Sequence, residues 1–152
     1  MSGGYIHCAD FDGDDKSGSP SFAVLKTVLN VSDSELSKSP LVKRLLGKTQ
    51  HPSRWVALLR QFLKRGEVTI PSELAHELLP KVEAYYRELG DKLGHPEPGD
   101  APELDAAAGL DPRKSKWGHG PGPGWHYYCA HDLVIALRKS VATSQPVTID
   151  FD

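Results

Sequence analysis

The chain is poor in the residues that mark several classes of protein. Its 152 residues include only two cysteines, Cys8 and Cys129, far apart in the sequence. Two cysteines are too few for a cysteine-built zinc site or for a disulfide scaffold. We therefore expect both to be free thiols, as is usual in a reducing compartment.

Long apolar runs and familiar catalytic signatures are also missing. No stretch approaches the ~20 apolar residues that a membrane-spanning helix requires, and the first residues show no basic region followed by an apolar one, so no secretory signal is visible. We expect a cytoplasmic protein that does not contact a membrane. Because the sequence contains no Gly-x-Ser-x-Gly elbow, phosphate-binding loop or dinucleotide-binding turn, it gives no support for an enzyme, and no cofactor is predicted.

What is present is typical of one ordinary globular domain covering residues 1–152. Hydrophobic residues make up 39% of the chain and charged residues 25%, close to globular averages, which argues against disorder. Short strands are predicted at 5–9, 67–70 and 147–151, and helices at 20–29, 40–46, 52–65, 71–93 and 125–143. Proline at position 80 should divide or sharply kink the fourth helix.

The fold class that follows is α+β. We expect a mostly helical domain of about five helices, with a small sheet formed by short strands that include the N- and C-terminal ones. Residues 94–124 are rich in proline and glycine and predict a long loop, in which the alanines at 106–108 form at most one helical turn.

Charge is distributed unevenly along the chain, although the formal net charge is only −2. Residues 16–66 carry ten Lys and Arg against two acidic residues, and residues 67–111 carry eleven acidic residues against three bases. This asymmetry predicts opposed charged surfaces. The alternative is that the two segments neutralise each other across the fold.

The acidic half and the aromatic residues near the loop predict a surface for a protein partner. Exposed carboxylates offer a negative surface, and tryptophan and tyrosine are common anchors at interfaces. The predicted partner-binding residues are Glu73, Glu77, Glu83, Glu88, Asp91, Glu97, Asp100, Glu103, Trp117, Trp125 and Tyr127. Asp105 belongs to the same acidic loop, and Trp125 or its neighbour Tyr128 has the alternative of joining the core.

Histidines and a cysteine near the C-terminal helix give a second hypothesis, a metal-dependent enzyme or metalloprotein. Its candidate ligands are His119, His126, Cys129 and His131, of residue types that zinc prefers. Helical spacing argues against it, because His131 lies about 140° around the axis from Cys129. The acidic turn at 10–15 lacks the glycine and glutamate of a calcium loop, so a solvated turn is favoured.

A third hypothesis is nucleic-acid binding through the basic segment 43–65. The low isoelectric point, about 6.4, argues against it. In size and composition the chain is similar to bacterial immunity and antitoxin proteins, and that similarity covers no specific motif. It implies a non-enzymatic inhibitor that binds and neutralises a toxin. A basic partner such as a nuclease would suit the acidic surface.

Overall fold

The computed structural model describes residues 5–37 except 15 and 19, residues 54–110 and residues 122–150. The elements in chain order are β1 Ile6–Cys8, β2 Phe11–Asp12, α1 Ser21–Val28, α2 Asp33–Ser37, α3 Arg54–Arg65, β3 Glu67–Ile70, α4 Ser72–Leu93, a 3₁₀ helix Pro98–Asp100, α5 Ala101–Ala107, α6 Pro123–Thr143 and β4 Val147–Asp150. Helices predominate over a small antiparallel sheet, which confirms the predicted α+β class. The helix predicted at 40–46 lies outside the described residues.

The sheet has the strand order β2-β1-β4-β3, and every neighbouring pair is antiparallel. The terminal strands β1 and β4 pair with each other, as predicted, with Ile6 opposite Ile149. Along β3 buried and exposed side chains alternate, which is the pattern of a sheet with one face on a core. The inward side chains are all buried: Ile6, Cys8, Val68, Ile70, Val147 and Ile149.

The helices cover that inner face and build the main core, beside which lies a second, smaller cluster of Leu89, Ala101 and Tyr127. Amphipathic spacing places apolar residues of α1 and α3 on their inner sides, and the Phe22 and Phe62 rings meet edge to face at 5.9 Å. The long helix α6 adds Leu133 and Leu137, both fully buried. Within the described residues, no helix has the length and apolar composition needed to cross a membrane.

The expectation that Pro80 divides this segment into two helices is wrong, because α4 runs as one helix from Ser72 to Leu93. The alternative of a kink at Pro80 stays a prediction. Proline removes the hydrogen bond to the carbonyl four residues earlier, here that of His76. Both residues are exposed, so water can satisfy that carbonyl. Burial of Leu78 before the proline and Val82 after it holds both halves of the helix on the same core.

The long loop is also shorter than expected. Residues 98–100 form the 3₁₀ helix and 101–107 form α5, so the described part of the segment contains two helices rather than a single possible turn. α6 begins at Pro123, two residues earlier than predicted. A further difference is β2, since Phe11 pairs with Cys8 where only an acidic turn was expected.

Candidate partner-binding surface

Part of the predicted acidic surface is neutralised within the fold. Glu77 forms an ion pair with Arg54, and a guanidinium nitrogen of Arg138 lies 2.8 Å from a carboxylate oxygen of Glu83. Arg54 belongs to the basic half of the sequence and Glu77 to the acidic half. The two segments therefore compensate each other at this contact, and the first half of α4 offers a mixed surface rather than a negative one.

The second half of the acidic segment is different. Residues 88–110 contain six acidic residues, and Lys92 is their only lysine or arginine. Asp91 contacts the imidazole of His95, with 3.0 Å between Oδ1 and Nε2. The other exposed carboxylates of this stretch have no cationic partner among the described residues. We call these four the acidic surface: Glu88, Glu97, Asp100 and Glu103.

A buried aspartate holds α5 in place beneath this surface. Asp105 is only 2% exposed, and its carboxylate accepts hydrogen bonds from the backbone N–H groups of Gly124, at 2.9 Å, and Trp125, at 2.8 Å. Both N–H groups belong to the first turn of α6. The N-cap residue of this helix, Gly122, has no side chain that could accept a hydrogen bond from them. Asp105 thus caps α6 from a different helix, where its negative charge also suits the helix dipole. We call this contact the Asp105 clasp.

Glycine is required where α5 meets α6. A Cβ atom added at Gly124 would lie 2.1 Å from the carbonyl oxygen of Ala101, and one added at Gly122 would lie 2.5 Å from the Asp105 carboxylate. Both distances are impossible for real side chains, so the two helices approach this closely only because these positions lack one. The counting of Asp105 among the surface acids was therefore wrong, because its carboxylate is used inside the fold.

Two leucines lie exposed on α5 or just beyond it. Leu104 is 42% exposed and Leu110, just beyond the helix, is 39% exposed. At 100° per residue, Glu103 lies opposite Ala101, the buried residue that faces α6, whereas Leu104 lies only 60° from Ala101. The outer side of α5 therefore carries Glu103, Leu104 lies on the flank of the helix, and the inner side is occupied by the Asp105 clasp.

The aromatic residues predicted as anchors differ in how far they are exposed to solvent. Tyr127 is buried, and its ring stacks on that of Tyr86 with 4.7 Å between centroids, because α4 and α6 pack face to face there. Its side chain is thus not available to a partner. Trp125 is half-buried and packs edge to face against buried Tyr128 at 5.6 Å. Trp117 lies outside the described residues.

The acidic surface acts electrostatically on two tyrosines of α4. Burial raises the pKa of Tyr85 to about 12, and the nearby Glu88 carboxylate contributes to the increase. Burial likewise raises the pKa of Tyr86, with further contributions from its contact with Tyr127 and from the charge of Glu97. Both phenols remain neutral donors at physiological pH, so these neighbours add no negative charge of their own.

The candidate metal ligands are dispersed. His126 Nδ1 lies 2.6 Å from the Tyr85 hydroxyl, and His131 Nδ1 lies 3.1 Å from Asp132. Cys129 is fully buried, and burial, together with the Asp132 charge, raises the pKa of its thiol well above the ordinary value. In the part of the chain that the structure describes, no three His, Cys, Asp or Glu side chains are grouped as metal ligands. His119 lies outside that part.

The acidic turn after β1 is engaged in local contacts. Asp12 pairs with His7 across the hairpin, and Asp10 lies 2.8 Å from the Lys139 ammonium, whose hydrogen bond and charge lower the pKa of Asp10. Buried Asp132 accepts a hydrogen bond from the backbone N–H of Asp14 at 2.9 Å, which fixes the hairpin to α6. The turn is therefore part of the scaffold.

The basic segment can be described only from residue 54 onward. A guanidinium nitrogen of Arg60 donates to the backbone carbonyl of Glu35, and Arg54 is paired with Glu77. Lys64 and Arg65 are exposed at the end of α3. Two of the basic groups proposed for nucleic acid are thus used in contacts between elements of the fold.

Compared with known protein families, curated proteins and solved structures, the chain shows no match. Arguments about function therefore rest on the geometry of the chain itself. Sequence reasoning missed the Asp105 clasp, although one signal was present: a helix that begins Gly-Pro-Gly has no capping side chain of its own and needs an acceptor from elsewhere.

Proposed function

We propose that this protein is a non-enzymatic protein-binding module that docks a positively charged protein partner on the acidic surface. An inhibitor of the bacterial immunity or antitoxin type, with a basic toxin or nuclease as its target, is the specific form of this proposal. The observation that supports it is the set of exposed carboxylates at 88–103 without cationic partners among the described residues.

The physical support comes from contrast within the molecule. Several carboxylates elsewhere are engaged within the fold: Glu77 and Glu83 have arginine partners, and Asp105 and Asp132 accept backbone hydrogen bonds. Exposed Glu67 and Glu73 also lack partners among the described residues, but they are only two, whereas residues 88–103 contribute four such carboxylates. Exposed like charges close in space destabilise a protein slightly through repulsion. A basic partner would remove that repulsion, and complementary charge would accelerate its association.

Several histidine, thiol and carboxylate groups among the described residues support a non-enzymatic assignment, because contacts within the fold engage them. His126 and Tyr85 bond across α4 and α6, Asp132 fixes the hairpin, and the Cys129 thiol is kept protonated by burial. A nucleophilic cysteine needs the opposite setting, with partial exposure and a lowered pKa.

Capture from a lysate of the source cells tests the proposal. The immobilised protein should enrich a basic protein, and gel filtration of the purified pair should give a defined stoichiometric complex. Asp100→Asn combined with Glu103→Gln should reduce the association rate by about tenfold at low salt, because steering by charge typically contributes 10- to 1,000-fold. The wild-type rate should decline as ionic strength rises.

The matched control is Asp12→Asn combined with Glu67→Gln, two acids that are not among the predicted partner-binding residues. This double variant removes the same charge from exposed positions outside the acidic surface, so it should leave the association rate nearly unchanged. The proposal is wrong if no stoichiometric partner is found. It is also wrong if both double variants slow association equally, since net charge rather than this surface would then govern binding.

A further inference from the structure

The strand β3 ends the sheet on one side, and among the described residues no further strand lies beside its outer edge. The register shows which backbone groups point there. The N–H of Asp150 donates to the carbonyl of Tyr5 at 3.0 Å, so Asp150 and, two residues away, Thr148 direct their backbone groups toward β1. The intervening residues of β4, Ile149 and Val147, therefore direct theirs toward β3.

The same alternation fixes the orientation of β3. Val68 and Ile70 lie opposite the two residues of β4 that face them, so their backbone groups bond to β4. Glu67 and Thr69 alternate with them and point their N–H and C=O groups away from the sheet. In the part of the chain that the structure describes, no other group bonds to these donors and acceptors, and both side chains are exposed.

The residues on either side limit what can pair with this edge. Before it, Arg65 ends the helix α3. After it, Pro71 has no N–H, and its carbonyl already accepts hydrogen bonds from two N–H groups in the first turn of α4, both at 3.0 Å. An added strand can therefore bond only to Glu67 and Thr69.

A second copy of the same edge matches these groups in one antiparallel register. With a two-fold axis at Val68, Glu67 of each copy lies opposite Thr69 of the other, and each such pair exchanges two hydrogen bonds. Every donor and acceptor of the two edges is then satisfied. An axis at Thr69 would place Glu67 opposite Pro71, whose backbone has nothing left to offer. An axis at Glu67 would place two carboxylates directly opposite each other, which is destabilising.

We propose that two copies of this chain associate through the outer edge of β3, with the strands antiparallel and Val68 at the two-fold axis, so that their sheets become one. The inference does not depend on the proposed function, because the acidic surface at 88–103 lies outside β3. Pairing with β4 already holds β3 extended, so each copy loses little conformational freedom, whereas a flexible peptide would first have to be ordered. A contact this small predicts a dimer that dissociates on dilution.

Sedimentation velocity of the full chain over a dilution series tests the association, and the average mass should rise with concentration toward that of a dimer. Thr69→Pro removes an outward N–H and leaves the ladder with β4 intact. It should weaken the dimer at least about tenfold, since half of the hydrogen bonds between the copies are lost. Thr69→Val keeps the N–H and a β-branched side chain, so as the matched control it should change the dissociation constant less than about twofold.

Disulfide cross-linking tests the register. In an equimolar mixture of Glu67→Cys and Thr69→Cys, the new thiols lie on directly opposed residues, whose Cα atoms are about 5.5 Å apart and within disulfide range. In Thr69→Cys alone they lie on diagonal residues, about 7–8 Å apart. With oxidised glutathione as the oxidant, the mixture should therefore give the linked dimer much faster. The native Cys8 and Cys129 are buried and do not compete.

The outcomes are distinct. A wild-type chain that remains monomeric up to about 1 mM refutes the inference. A dimer that Thr69→Pro leaves unchanged, or that gives no preferential cross-link in the mixture, uses another surface and refutes it as well. If circular dichroism shows that Thr69→Pro has lost its helices, the cross-linking result decides. A monomeric chain whose Thr69→Pro variant no longer captures the partner sought above would show that the edge receives a strand of another protein, which also overturns pairing between copies.

Discussion

Replacement of Asp105 by alanine removes the clasp between α5 and α6. Two backbone donors lose their acceptor, and one of them, the Gly124 N–H, is buried. Loss of a capping side chain costs about 1 kcal/mol, and a buried donor left unsatisfied costs about 1–3 kcal/mol. We expect the free energy of unfolding to fall by about 3 kcal/mol, within the 5–15 kcal/mol that domains possess, so that the protein still folds.

Urea denaturation followed by circular dichroism measures this loss. For a domain of this size 1 kcal/mol corresponds to about 2–4 °C in Tm, so thermal melting should shift down by about 6–12 °C. Asp105→Asn keeps one acceptor oxygen and should lose about half as much. Glu103→Ala, on the outer side of the same helix, is the control and should stay within about 0.5 kcal/mol of wild type.

Amide exchange distinguishes a local from a global effect. α5 has seven residues, too few to persist as a helix without tertiary contacts. Its amides and that of Trp125 should exchange much faster in Asp105→Ala, while amides of β3 and β4 remain protected. An unfolding free energy within 0.5 kcal/mol of wild type, with protected α5 amides, would refute the role assigned to the Asp105 carboxylate.

Three further predictions concern the scaffold. Cys8 and Cys129 are buried with raised pKa values, so a thiol reagent at pH 8 should modify them only after denaturant is added; rapid labelling of the native protein would contradict this burial. Pro80→Ala should raise the unfolding free energy by about 2 kcal/mol, since alanine restores a helix hydrogen bond, and a decrease in urea stability would oppose that reasoning. The Lys139 ammonium lowers the pKa of Asp10, so Lys139→Met should raise that pKa in an NMR titration. The stabilisation from this pair is present above the ordinary aspartate pKa and disappears as pH falls through the lowered pKa. An unchanged Asp10 titration in the variant would exclude the contact.

The elements that the sequence predicted well are those whose signals are local. Apolar residues at helical spacing located α1, α3 and α6, and alternation at both ends of the chain located β1 and β4. The pairing of β1 with β4 could also be predicted, because a single strand needs another strand to satisfy its backbone hydrogen bonds. These helices and strands were predictable because the spacing of apolar residues is a property of residues close together in the sequence.

The features that were missed depend on contacts distant in sequence. α5 is stabilised by Asp105 contacting backbone nineteen residues later, and no local pattern records that distance. Tyr127 was expected at a surface, but stacking on Tyr86, on another helix, buries it. Pro80 carries a strong local signal for a break, which packing of α4 on the core overrides.

The partner-binding role of the acidic surface stays a prediction. Composition revealed the excess of carboxylates, but only coordinates separate Glu77 and Glu83, which have arginine partners, from Glu97 and Glu103, which have none among the described residues.

Placement of β4 between β1 and β3 has a consequence for folding kinetics. β1 and β3 make no ladder with each other; each is joined to the sheet through Val147–Asp150. Both ladders connect residues far apart in the sequence, since Ile6 and Val68 both pair with Ile149. The sheet can therefore form only after long segments of chain have closed, which slows folding. Until then β3 lacks a partner and the β1–β2 hairpin is isolated, and such unpaired strand edges favour aggregation.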